Sequence, residues 1–96
     1  MSREEILSIL RREKPRLQAK YGVTALGVFG SVARGESRPD SDTDIFVEVP
    51  IVNGWDYMAL YGELAEAIGG EVDIIRLRPS LQPTLRRSIE RDAIYV

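Results

Sequence analysis

At 96 residues the chain is expected to form one domain, residues 1–96, with room for a single core. Its composition, 44% hydrophobic and 29% charged with a net charge of −2, is that of an ordinary soluble globular protein. Cysteine and histidine are both absent, which excludes disulfides, thiol nucleophiles, imidazole bases and the Ser-His-Asp triad, and leaves carboxylates, hydroxyls, cations and backbone amides to carry any chemistry.

No run approaches the ~18 apolar residues of a membrane helix, and Met1-Ser2-Arg3-Glu4-Glu5 is no signal peptide, so the cytoplasm is the expected location. Charge is unevenly spread: residues 1–20 carry +3, residues 21–75 carry −8 and residues 76–96 carry +3. An acidic middle suits a metal ion and does not suit naked nucleic acid.

Ser2 with Glu5 forms a capping box that starts a helix. Ile6, Leu7, Leu10 and Leu17 give that helix its apolar stripe. Pro15 is expected to kink or divide it near Arg11 to Lys14, and Gly22 to end it. Val23 to Phe29 is apolar on both faces and predicts an internal strand. Ser31 to Gly35 predicts a short helical turn, and Ser37 to Asp40 a loop.

Thr43 to Val49 predicts a second strand, with Asp42, Asp44, Phe46 and Glu48 on one face and Ile45, Val47 and Val49 on the other. Pro50 to Gly54 predicts a loop. Trp55 to Ile68 predicts a second long helix with the core stripe Tyr57, Leu60, Tyr61, Leu64 and Ile68, leaving Trp55 and Met58 off it. Glu71 to Leu77 predicts a third strand, Leu81 to Arg91 a last helix with Pro83 in its first turn, and Ala93 to Val96 a short edge strand. The expected fold is α+β: a small mixed β-sheet with helices packed mainly on one face and an α-β-α-β-α-β core. The pairing sense of the first two strands stays open.

The chemistry concentrates between Gly30 and Asp44. Gly30-Ser31 follows a strand and opens a helical turn, where backbone amides and a hydroxyl attract phosphate. The stretch is not a P-loop, because Glu36 stands where that motif needs lysine. It is not an EF-hand either, because Ile45 and Ile51 occupy the glycine and bidentate-glutamate positions. Asp42 and Asp44 alternate at a strand start, so their side chains point the same way and repel unless a cation, magnesium by preference, lies between them. The plainer alternative is a loop rich in turn-forming Asp and Ser. Asp73 sits mid-strand among Val72, Ile74 and Ile75, against strand propensity. If its strand lies beside Thr43 to Val49, three carboxylates could hold two magnesium ions for in-line displacement at phosphorus. Otherwise Asp73 merely caps or pairs with an arginine.

Gly30-Ser31-x-x-Arg34-Gly35-Glu36, then Ser41-Asp42-x-Asp44, then a strand-borne Asp73, resembles the minimal nucleotidyltransferase (MNT) family of the polymerase-beta-type superfamily, over nearly the whole chain. The resemblance implies ATP as substrate, its β- and γ-phosphates held by Gly30 and Ser31. It implies magnesium on Asp42 and Asp44, and a second ion on Asp73, which would also orient or deprotonate the attacking hydroxyl. Arg34 would contact the phosphates or pair with an acid, and Glu36 would accept backbone hydrogen bonds within the loop.

It also implies a HEPN-domain toxin as partner in a hetero-oligomer, with AMP transferred to a tyrosine of that toxin and the chain acting as antitoxin. Trp55 and Met58 are compatible with such a contact and equally with two partly exposed apolar side chains. A non-catalytic subunit that neutralises its partner by occlusion is the alternative. Transfer to a small molecule or to RNA is disfavoured, since no substrate domain is present and the basic residues lie at the chain ends.

Overall fold

The structure is a computed structural model that describes residues 2–36, 42–50 and 54–96. The loop expected over Ser37 to Asp40, Ser41 of the motif, and most of the loop from Pro50 to Gly54 lie outside the described residues. Eight elements follow in chain order: α1 (Arg3–Tyr21), β1 (Ala25–Val28), α2 (Gly30–Ala33), β2 (Thr43–Glu48), α3 (Gly54–Ile68), β3 (Val72–Arg76), α4 (Pro83–Asp92) and β4 (Ile94–Tyr95).

The strands form a mixed sheet in the order β3-β2-β1-β4. β1 and β2 are antiparallel, with Val28 opposite Ile45. Among the described residues their connection holds only the single turn of α2, and the connection is short for the crossover that parallel neighbours need. α3 supplies such a crossover between β2 and β3, which pair in parallel. β4 lies antiparallel on the outer side of β1, at the sheet edge as expected.

α1 starts at the predicted capping box: the Ser2 hydroxyl accepts from the Glu5 amide at 3.1 Å while Glu5 reaches back to the Ser2 amide. It ends at Gly22, in the left-handed conformation at φ 79°. Of the two outcomes expected at Pro15, division does not occur: α1 runs as one helix from Arg3 to Tyr21. Leu10 and Leu17, fully buried on either side of the proline, anchor both halves to the sheet. An interior proline, through its lost hydrogen bond and ring clash, costs about 3 kcal/mol, which two buried leucines worth roughly 1.5–3 kcal/mol each offset.

α1 and α3 share one face of the sheet and close the main core, where Ile6, Leu10, Leu26, Ile45, Leu60 and Leu64 meet. The other face is covered in part by α4. There Phe46 is fully buried with Phe29, Leu81 and Ile89. Gly27 makes room on this face, because it stands opposite Phe46 on β2 and opposite Tyr95 on β4. The two rings meet edge-on across it, with centroids 4.9 Å apart. A Cβ at Gly27 would fall 2.6 Å from the Phe46 ring and 2.1 Å from the Ile94 carbonyl.

Candidate active site

The parallel register of β2 and β3 sets Asp44 directly beside Asp73. Neighbouring strands lie about 4.8 Å apart, and residues in register share a face, so the two side chains leave the sheet together. Asp42 precedes β2 on the same face as Asp44. Asp42 and Asp73 are exposed and Asp44 is half-buried. The Asp44 carboxyl is held above the usual carboxylate range, first by its burial, then by the charge of Asp73 and then by that of Asp42. Arg34 opposes these effects.

The glycine turn lies against the same carboxylate. Gly30 adopts φ 67°, and a Cβ there would sit 2.4 Å from Asp44 Oδ2. The Phe29 amide donates to the Asp44 carbonyl at 3.1 Å, tying the end of β1 to β2 at this point. The first amides of α2 have no carbonyl partner within so short a helix. The glycine turn and the carboxylates, separated in the sequence, thus form one surface.

Arg34, at the C-cap of α2, takes the acid-pairing arrangement of the two the sequence left open. Its Nε donates to Glu36 Oε2 at 3.1 Å and its Nη1 to Asp92 Oδ2 at 2.7 Å. These two hydrogen bonds, Glu36 first, hold the guanidinium above its ordinary pKa. The Glu36 carboxylate thus accepts from Arg34, while its amide donates to the Ser31 carbonyl at 2.8 Å. Two residues of this frame escaped the sequence pattern. Asp92 closes α4 onto the turn from the far end of the chain. Arg3 Nη1 donates to the Ala33 carbonyl at 3.0 Å, satisfying the C-terminal end of α2. Both contacts are non-local, and neither residue carries a local signal.

The donor set can be tested against magnesium. Among the described residues no three carboxylates are gathered into a ready-made metal cage. Magnesium does not require one, since it is commonly held by one or two carboxylates together with substrate phosphates and water. The Asp44–Asp73 pair, side by side in register on one face of the sheet, fits such a divalent cation.

The fold and this constellation are those of a small nucleotidyltransferase. The family model described as Polymerase beta, Nucleotidyltransferase matches residues 4–96, and the chain belongs to that family. It is 38% identical to protein adenylyltransferase MntA of Thermococcus cleftensis, over 97% of this chain and 94% of that protein. It is similar to a solved structure described, provisionally, as a minimal nucleotidyltransferase: 38% identity, TM-score 0.77, covering 98% of this chain and 95% of the other. The fold recurs, at 22% identity and TM-score 0.58, in the complex of the tri-AMPylated Shewanella oneidensis HEPN toxin with its MNT antitoxin, covering 97% of this chain and 66% of that one.

Proposed function

We propose that the chain transfers AMP from ATP, with magnesium, to a tyrosine hydroxyl of a HEPN-domain toxin and thereby acts as its antitoxin. The observation that carries this reading is the Asp44–Asp73 register pair with Gly30 against it. The adenylyltransferase name of the Thermococcus relative supports AMP transfer, and the AMPylated HEPN toxin of the Shewanella complex is in keeping with a toxin acceptor.

In this mechanism Gly30 and Ser31 bind the β- and γ-phosphates through the opening amides of α2 and the serine hydroxyl. Asp42, Asp44 and Asp73 would hold magnesium, which would neutralise phosphate charge during the displacement. Asp73, at the exposed side of the pair, accepts the proton of the attacking tyrosine hydroxyl. The tyrosine oxygen bonds to the α-phosphorus, the bond to the bridging oxygen breaks, and pyrophosphate leaves. Arg34, braced by Glu36 and Asp92, keeps the turn in shape rather than contacting phosphate directly.

The test incubates the chain, a HEPN partner, magnesium and labelled ATP. Label should enter the partner with the native chain and be lost with Asp42→Asn/Asp44→Asn. Undiminished labelling by that double variant would overturn the site. Occlusion is a second reading, favoured by the exposure of Trp55 (86%) and Met58 (68%) on α3. It gains if the double variant still neutralises the partner with no added AMP in the partner's mass spectrum.

A further inference from the structure

At the end of the sheet away from the carboxylates, three arginines converge on an open cavity of about 610 Å³ lined by Arg76, Arg78 and Arg86 together with Val49, Pro50 and Glu48. A second hollow of about 440 Å³, between Tyr57 and Gly54, adjoins it through the shared Arg76 and Arg78. Arg76 stands opposite Val47, three register positions along β2–β3 from the Asp44–Asp73 pair. That is on the order of 10 Å along the strands.

Each guanidinium is fixed by a backbone carbonyl. Arg76 Nε donates to Val49 at 3.2 Å, Arg78 Nη1 to Arg76 at 2.9 Å, and Arg86 Nη2 to Arg78. Each such bond uses one of the five N–H donors an arginine carries, so the rest of each fork stays available. Among the described residues neither Arg76 nor Arg78 has a carboxylate within 4 Å, and Arg86 has only Glu90 at 3.8 Å. The cavity's one acid, Glu48, already accepts the Thr24 hydroxyl at 2.8 Å. Three like charges held together in fixed forks repel, and an anion arriving there relieves the repulsion and meets oriented donors.

We infer that this groove is a docking site for an acidic segment of a partner protein, separate from the transfer site. A protein fits it better than a nucleic acid does. The lining alternates arginine with apolar Val49, Pro50 and Leu77, and Tyr57 stands at its edge, the composition of protein interfaces.

Fluorescence anisotropy with a labelled octaglutamate peptide tests this, with an eight-nucleotide oligothymidylate and inorganic tripolyphosphate as competing probes. The expected result is saturable peptide binding that survives Asp42→Asn/Asp44→Asn and weakens roughly tenfold or more in Arg76→Gln/Arg78→Gln. In the native chain, amide NMR shifts on titration should centre on residues 76–78 and 86, a readout that stands even if the arginine variant misfolds. Peptide shifts centred elsewhere, no saturable binding, or tighter binding of the oligonucleotide or tripolyphosphate would each overturn the assignment. No step of this experiment involves AMP transfer, so its failure leaves the transferase reading untouched, and the reverse holds.

Discussion

Gly30 shows how little freedom the site has. A side chain there meets two separate penalties: the left-handed backbone at φ 67° and a collision 2.4 Å from Asp44 Oδ2. The first costs about 1–2 kcal/mol, or a Tm drop of roughly 4–8 °C per kcal/mol in a domain of this size. The second displaces a carboxylate from the transfer site. Gly30→Ala should therefore lower Tm modestly while cutting transfer by at least roughly a hundredfold, about 2.7 kcal/mol of barrier. Calorimetry beside a single-turnover assay separates the two. Asp44→Asn, which keeps shape and removes charge, should cut transfer to a similar degree with little change in Tm. The glycine, the serine and the paired aspartates were legible because their spacing is local. Asp73 was legible only as a polar residue in the wrong place, and its pairing with Asp44 depends on strand adjacency that no local pattern records. Asp92 carried no signal at all. Its carboxylate is held below its ordinary range by Arg91 and then Arg34. Asp92→Ala should loosen the turn, raising KM for ATP more than it lowers kcat.

Among the elements, the bond between α1 and α3 rests on one carboxylate as well as on the core. Glu63 accepts from Tyr21 and Arg16 and lies 3.2 Å from the Lys20 ammonium. Those partners, Tyr21 first, lower its pKa from 4.5 to about 2. A carboxylate with a depressed folded-state pKa stabilises the protein above its unfolded value and loses that contribution as pH falls. Stability should accordingly decline between pH 4.5 and about 2, and Glu63→Gln should flatten that slope in Tm measured against pH. Leu64→Ala, at a fully buried position of the same helix, should cost about 2–5 kcal/mol at any pH. Helix positions followed from periodicity and capping, and strand positions from apolar runs. The uninterrupted course of α1 did not, because the propensity of Pro15 is a local property and the buried leucines that override it are a tertiary one. The complete burial of Phe46 was hidden for the same reason: its strand face reads as polar until α4 folds over it.

At the scale of the whole molecule, charge is sorted by position. Asp42, Asp44 and Asp73 gather at one end of the β2–β3 pair, and Arg76 and Arg78 at the other, beside Glu48. Among the described residues no helix is long and apolar enough to cross a membrane. Among the described residues the order β3-β2-β1-β4 leaves β3 bonded to a strand on one side only, and Asp73 belongs to that strand. Edge elements detach first in local opening, at less free energy than global unfolding. The completeness of the site is then an equilibrium of its own, set by how often β3 peels from β2. Native-state hydrogen exchange should show lower protection for amides of β3 than for those of β1 and β2. If Asp44 and Asp73 hold nucleotide and magnesium as proposed, adding both should raise β3 protection selectively. If exchange bears this out, ligand and edge strand hold each other in place, and the empty site opens while the core stays folded.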